Sequence, residues 1–182
     1  LNYAIVSYLF ATAVRAIQVK KGAKKKYKSS CLIHCEVAKS KHEWQESLII
    51  KIIEDIKHAF LAKANTDLHI LDLESDAYES LKKSNELGNK YELIHEDFPD
   101  FGEVETEVKR ILEMDDYIVQ VINSENPVSA LLNDKGQLRL EGTANIFIGG
   151  NILDRGITID NMLCFFYGRD PKKFQMDTVL QH

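Results

Sequence analysis

The 182 residues hold three cysteines, one tryptophan and neither of the common glycine loops that grip phosphate. Cys31, Cys35 and Cys164 are an odd set without paired spacing, which excludes a disulfide scaffold and suits a reducing, cytoplasmic compartment. No G-x-x-x-x-G-K-[ST] occurs, and no G-x-G-x-x-G follows a strand, so the chain lacks the usual means of holding a nucleoside triphosphate by itself. No long uncharged run is present either. The apolar opening LNYAIVSYLFATAV has no basic residues ahead of it, and Arg15 interrupts it before it could span a bilayer. It reads as a core helix, with no membrane as a partner. Cys31-x-x-His34-Cys35 has a metal-like look, but on a strand Cys31 and Cys35 share one face while His34 points away. Structural zinc wants four well-placed ligands, so no metal site is expected.

What is present is enough for one well-filled core: 45% of the residues are hydrophobic and 28% charged. The net charge of -5 conceals an uneven distribution. Residues 1–64 carry 12 Lys and Arg against 5 Asp and Glu, whereas residues 65–116 carry 5 against 16. A polyanion must therefore meet the basic front rather than the acidic middle. The chain opens on Leu1 and stops at His182 within a helical pattern, as expected of a piece of a longer protein.

Residues 3–19 have helical periodicity with apolar side chains nearly all round, the mark of a helix packed on more than one side. The lysine-rich residues 20–28 are either a solvated connector or a contact for a phosphate backbone. A buried parallel strand is predicted over 30–37. Trp44, Leu48, Ile49, Ile52, Ile53, Ile56 and Phe60 then recur at helical spacing and predict an amphipathic helix over 42–63. Between about 65 and 116 two acidic, helix-like segments read as a helical insertion, whose charge would repel nucleic acid. Three short apolar runs follow at 117–124, 145–150 and 162–168, and a final helix begins near Pro171. Strands apolar on both faces, interleaved with helices, predict an α/β fold with a parallel sheet covered on two sides.

In such sheets ligands bind in the crevice beyond the carboxyl ends of the strands. Gly149-Gly150 ends a predicted strand there and would let another molecule approach the backbone closely; the plainer reading is a turn that needs positive φ. Arg155 follows within a few residues and could reach a phosphate or a facing carboxylate, or simply pair with Asp154 or Asp160. Asp177 and Gln181 share a face of the last helix, with Thr178 beside them. The order Asp100, Glu107-Val108-Lys109 is found in metal-dependent nucleases, but its setting reads as a solvated helix face.

GGNILDRGITIDNMLCFFYGR followed by QMDTVLQH resembles the fifth and the opening of the sixth motif of superfamily 2 helicases. More narrowly it is similar to the Z-one domain family of proposed endonucleases, with its GGN-x-L-x-RG-x-T signature and D-T-x-x-Q helix. SSCLIHCEVAKSKHEW resembles the fourth motif, and AIVSYLFATAVRAI the helix preceding it. The match is good at both ends of the chain and poor in the acidic middle.

The resemblance implies that residues 1–182 are a single second RecA-like lobe, of the P-loop NTPase type, with an acidic helical insertion at about 65–116. Gly149, Gly150, Asn151, Arg155, Gly156, Thr158, Asp177, Thr178 and Gln181 would lie on the nucleotide and lobe interface. His34, Lys39, Ser40 and Lys41 would touch the nucleic acid, expected to be DNA. The first RecA-like lobe of the same protein would be the partner, and ATP and Mg²⁺ would serve the intact protein without being bound by this fragment alone. Two departures stand out. Asp154 occupies the place of an expected serine, and the chain stops before the arginines that would stabilise the transferring phosphoryl group. The expected function is that of a translocase lobe in a restriction or defence protein with a nuclease elsewhere, no catalytic set being complete here. The alternatives are a small-molecule or nucleotide-binding α/β domain and a regulatory protein-interaction domain.

Overall fold

A computed structural model describes residues 1–20, 26–34, 40–62, 68–93, 96–122, 131–149 and 158–168. The elements run α1 (Asn2–Lys20), β1 (Ser29–His34), α2 (Ser40–Ala62), α3 (Leu68–Lys90), α4 (Phe101–Glu113), β2 (Tyr117–Ile122), β3 (Ala144–Gly149) and β4 (Met162–Tyr167). The four strands form one sheet in the order β2-β3-β1-β4, and every neighbouring pair is parallel. The protein is thus an α/β fold with an all-parallel sheet flanked by helices, consistent with a RecA-like three-layer arrangement.

The central strands β1 and β3 are buried along their whole length, as their unbroken apolar runs require of strands covered on both faces. Cys31, Ile33, Ile146 and Ile148 point to the face that carries the described helices. Leu32, Phe147 and Ile122 point the other way and pack with Leu138, Leu131, Leu132 and Leu140. Among the described residues, that second face is covered by the 131–140 segment and Ile159. The predicted final helix lies outside the described residues.

The all-round apolar pattern of α1 has a clear cause. It is a middle layer, with Tyr8 bonded to the sheet and Phe10 against Phe60 of α2 and Phe101 of α4. The two helices of the acidic middle pack onto α1 rather than onto the sheet. Helix α4 starts on a capping box: the Asp100 carboxylate accepts from Glu103 N–H at 2.8 Å, and Asp100 N–H donates to the Glu103 carboxylate at 3.2 Å. Its buried face is Val104, Val108, Ile111 and Leu112, at helical spacing. Tyr78 of α3 donates to the Pro99 carbonyl at 3.1 Å and ties α3 to the start of α4.

Ile49, Ile53, Ile56 and Phe60 of α2 are buried as the periodicity predicts, but Trp44 is 63% exposed. Periodicity places a residue on a stripe and does not say how far along the helix the covered surface extends. Residues 107–109 also differ from the solvated face expected of them. Glu107 is 7% exposed, bonded to Lys20 at 2.8 Å and to Arg110 at 2.9 Å, while Lys109 pairs with Glu105 at 2.5 Å. That carboxylate is a buried ion-pair partner.

Candidate functional site at the carboxyl ends of the strands

In register, Ile122, Gly149, His34 and Tyr167 form one row across the carboxyl ends of the four strands. Parallel pairing turns all four to the same face of the sheet. His34 is fully buried, with Tyr167 and Phe165 edge-on at ring-centroid distances of 5.2 and 6.4 Å. On its other side stands Gly149, which contributes no side chain between Ile122 and the imidazole. Beyond the row, Gly168 N–H donates to the His34 carbonyl at 2.9 Å and carries the β1–β4 pairing one residue further. A Cβ on Gly168 would sit 3.1 Å from the Phe166 ring, so glycine keeps that turn of chain close to the sheet.

Gly149 is a strand residue paired in register with both neighbouring strands and without a positive φ, so a positive-φ turn is no reason for its being glycine. The structure brings two sequence-predicted site residues together, His34 and Gly149, which are register partners. Ser40 and Lys41 open α2, which starts on the same carboxyl side. Thr158 lies elsewhere: it is exposed, bridges in parallel to Gln137, and its carbonyl accepts from Leu138 N–H at 3.1 Å on the cover of the second face. Lys39, Gly150, Asn151, Arg155, Gly156, Asp177, Thr178 and Gln181 lie outside the described residues. The aromatic flank of His34 escaped sequence reasoning. Phe165 and Tyr167 alternate as residues on one strand face must, but only the register with β1 makes them neighbours of His34.

The amino ends of the strands are built differently. Tyr8 lies there, its hydroxyl 3.1 Å from both the Ser29 and Asn145 carbonyl oxygens and accepting from Asn145 N–H at 2.7 Å. Burial pushes that phenol well above its usual range, against the bonds from Ser29 and Asn145. The Asn145 amide donates to the Ser29 and Gly142 carbonyls at 2.8 Å each, and its oxygen accepts from Glu141 and Gly142 N–H at 2.9 and 3.1 Å. Asp116 accepts from Thr143 Oγ1 at 2.6 Å and N–H at 3.0 Å, and pairs with Lys26 at 2.6 Å and Arg110 at 3.2 Å. Burial opposes its charge, but the bonds from Lys26, Thr143 and Arg110 prevail and hold the carboxyl down at about 2.

A cavity of about 460 Å³ opens at this end, lined among others by Lys26, Tyr27, Lys28, Leu138 and Asp160. Its polar groups are already engaged: Lys26 with Asp116, Lys28 Nζ with the Leu140 carbonyl at 2.6 Å, Asp160 with Gln137 at 2.8 Å. Of the lysine-rich stretch, residues 21–25 lie outside the described residues, and Lys20, Lys26 and Lys28 all turn to partners within the chain. For those three the phosphate-contact alternative gives way to internal pairing. The same pattern accounts for the uneven charge. Lys57 pairs with Asp115 at 2.5 Å and Arg15 with Glu96 at 3.5 Å, so the basic front and the acidic middle are partly each other's counter-ions.

Cys31 and His34 point to opposite faces of β1, and among the described residues no group of three His, Cys, Asp or Glu side chains is placed to hold a metal ion. No described helix is long and apolar enough to cross a membrane.

A parallel sheet with a charged network at the amino end and a glycine-bearing row at the carboxyl end defines an α/β protein of the class in which ligands bind beyond the carboxyl ends of the strands. The family model of the Z1 domain matches residues 1–182, and the chain belongs to that family. No curated protein and no solved structure matches it.

Proposed function

We propose that this chain is the second RecA-like lobe of an NTP-dependent nucleic-acid translocase of the restriction or defence type. In this reading the carboxyl-end row faces a first lobe that carries the phosphate loop and the metal-binding acid. Membership of the Z1 family supports it. The observation that carries it is the position of Gly149, at the carboxyl end of a central strand and in register with His34, immediately before Gly150, Asn151, Arg155 and Gly156. A missing side chain at that point fits a lobe that closes over a nucleotide instead of gripping one. ATP and Mg²⁺ belong to the assembled pair of lobes, and Arg155 would complement phosphate charge there. Lys39, Ser40 and Lys41, which follow β1 in the sequence, would meet the DNA backbone, whereas His34, grouped with them by the resemblance, is fully buried and offers it no surface.

The interaction-domain alternative has less acid to draw on than the composition suggests, because Glu107, Asp115 and Asp116 of the acidic middle are bound to the chain's own cations. The test is hydrolysis of ATP by the full-length protein with and without DNA. Arg155→Ala should abolish DNA-stimulated turnover while circular dichroism and thermal unfolding stay those of the parent. Unchanged turnover removes the reading, as does substantial hydrolysis by residues 1–182 alone.

A further inference from the structure

We propose that Cys31 and Cys164 form a reversible cross-strand disulfide site that fastens β4 to the centre of the sheet. The two residues are direct register partners on β1 and β4 and face the same side, toward α1. Neighbouring strands lie about 4.8 Å apart, inside the Cα separation of about 4.4–6.8 Å that a disulfide spans. The pairing depends on a bulge. Ser30 faces Met162 and Cys31 faces Cys164, so Leu163 is the extra residue, and without it Leu163 would stand opposite Cys31. Both thiols are free in the structure.

The two sulfurs are unequal in a way that suits exchange chemistry. Cys31 is 1% exposed, whereas Cys164 is only half-buried, its sulfur 4.0 Å from the Ala4 carbonyl near the start of α1. The bond from Cys31 draws the Cys164 thiol below its ordinary range despite partial burial. The same bond, together with burial, pushes the Cys31 thiol up. Cys164 is therefore the attacking thiolate and Cys31 the resolving one. With a low-molecular-weight disulfide as oxidant, Cys164 gives up its proton to solvent and attacks one sulfur, releasing one small thiolate and leaving a mixed disulfide. Cys31 then loses its proton and attacks the Cys164 sulfur, and the second small thiolate departs. The protein loses two protons and two electrons, and the oxidant becomes two thiols. Before oxidation β4 is held only to β1 among the described strands, and the chain runs on from it toward Asp177 and Gln181. The site stands on strand register alone and does not depend on the translocase reading.

The experiment treats the full-length protein with oxidised glutathione and maps tryptic peptides without reductant. Cys35 shares a tryptic peptide with Cys31, so the Cys35→Ser variant is mapped beside the parent. The expected result is a linked pair joining Cys31 to Cys164 in both, lost on treatment with dithiothreitol. The oxidised form should also unfold several degrees higher, because the bridge closes roughly 130 residues of chain. Cys31→Ala should leave glutathione stably attached to Cys164. Absence of the linked pair in the Cys35→Ser variant overturns the proposal whether or not Cys31→Ala folds. An oxidised form no more stable than the reduced one overturns the fastening.

Discussion

The two ends of the sheet are made of different materials. At the amino end Tyr8, Ser29, Asn145 and Asp116 are buried or half-buried polar groups whose bonds tie the backbone at Ser29 to that of residues 141–145. At the carboxyl end the row is a histidine between aromatic rings and a glycine, and the signature glycines and arginine follow in the chain. A satisfied polar network rigidifies and specifies a fold but has no capacity left for a ligand. Stability should therefore respond to changes at the amino end, and chemistry to changes at the carboxyl end.

The sharpest way to break that division is to exchange the effects. Arg155→Ala should lower DNA-stimulated ATP hydrolysis by the full-length protein at least about 100-fold, with an unchanged urea midpoint. Asn145→Ala, at the opposite end, strips four hydrogen bonds from backbone groups, three of them buried and one half-buried. It should cost about 3–4 kcal/mol in urea unfolding.

Asp116→Asn tests the same end through pH. The folded carboxyl is held down at about 2, below its unfolded value of about 3.9. Its contribution is therefore present above about pH 4 and is lost as pH falls through about 2. The variant should be less stable at pH 7 and should show a flatter acid limb between those values in thermal melts.

Glu74 offers the opposite sign at smaller amplitude. It is 5% exposed, and burial first, then the nearby Glu105 charge, push its carboxyl up to about 7. A carboxyl raised in the folded state stabilises below its unfolded pKa and loses that contribution as pH rises through the folded one. Glu74→Gln should therefore raise the melting temperature at pH 8 by about 2–4 °C and change little at pH 4.5. Trp44→Ala should fall within about 0.5 kcal/mol of the parent, since its ring is solvent-exposed at the start of α2.

Much of the frame was legible in the residues, because short apolar runs and 3.6-residue periodicity report burial directly. The runs at 30–37, 117–124, 145–150 and 162–168 all contain strands, and the helix predicted over 42–63 is Ser40–Ala62. Trp44 defeated the pattern because a helix can extend beyond the surface that its stripe covers. The pairing of Cys31 with Cys164 was hidden by a one-residue bulge, which no periodicity announces. The burial of Glu107 was hidden for a different reason. Its partner Lys20 is far away in sequence, and charge complementarity between distant segments is visible only once they are folded together. Of the candidate site, the strand-end position of Gly149 could be read from its apolar run, whereas its pairing with His34 required the strand order.

Helix α1 is synthesised before the other described elements, yet it is buried between the sheet and the helices α3 and α4. Its apolar outer side has to wait for residues 68–113 to leave the ribosome, and its inner side for β3 and β4 to pair with β1. Until then the helix lacks the cover that this fold provides, so these elements should collapse together and late.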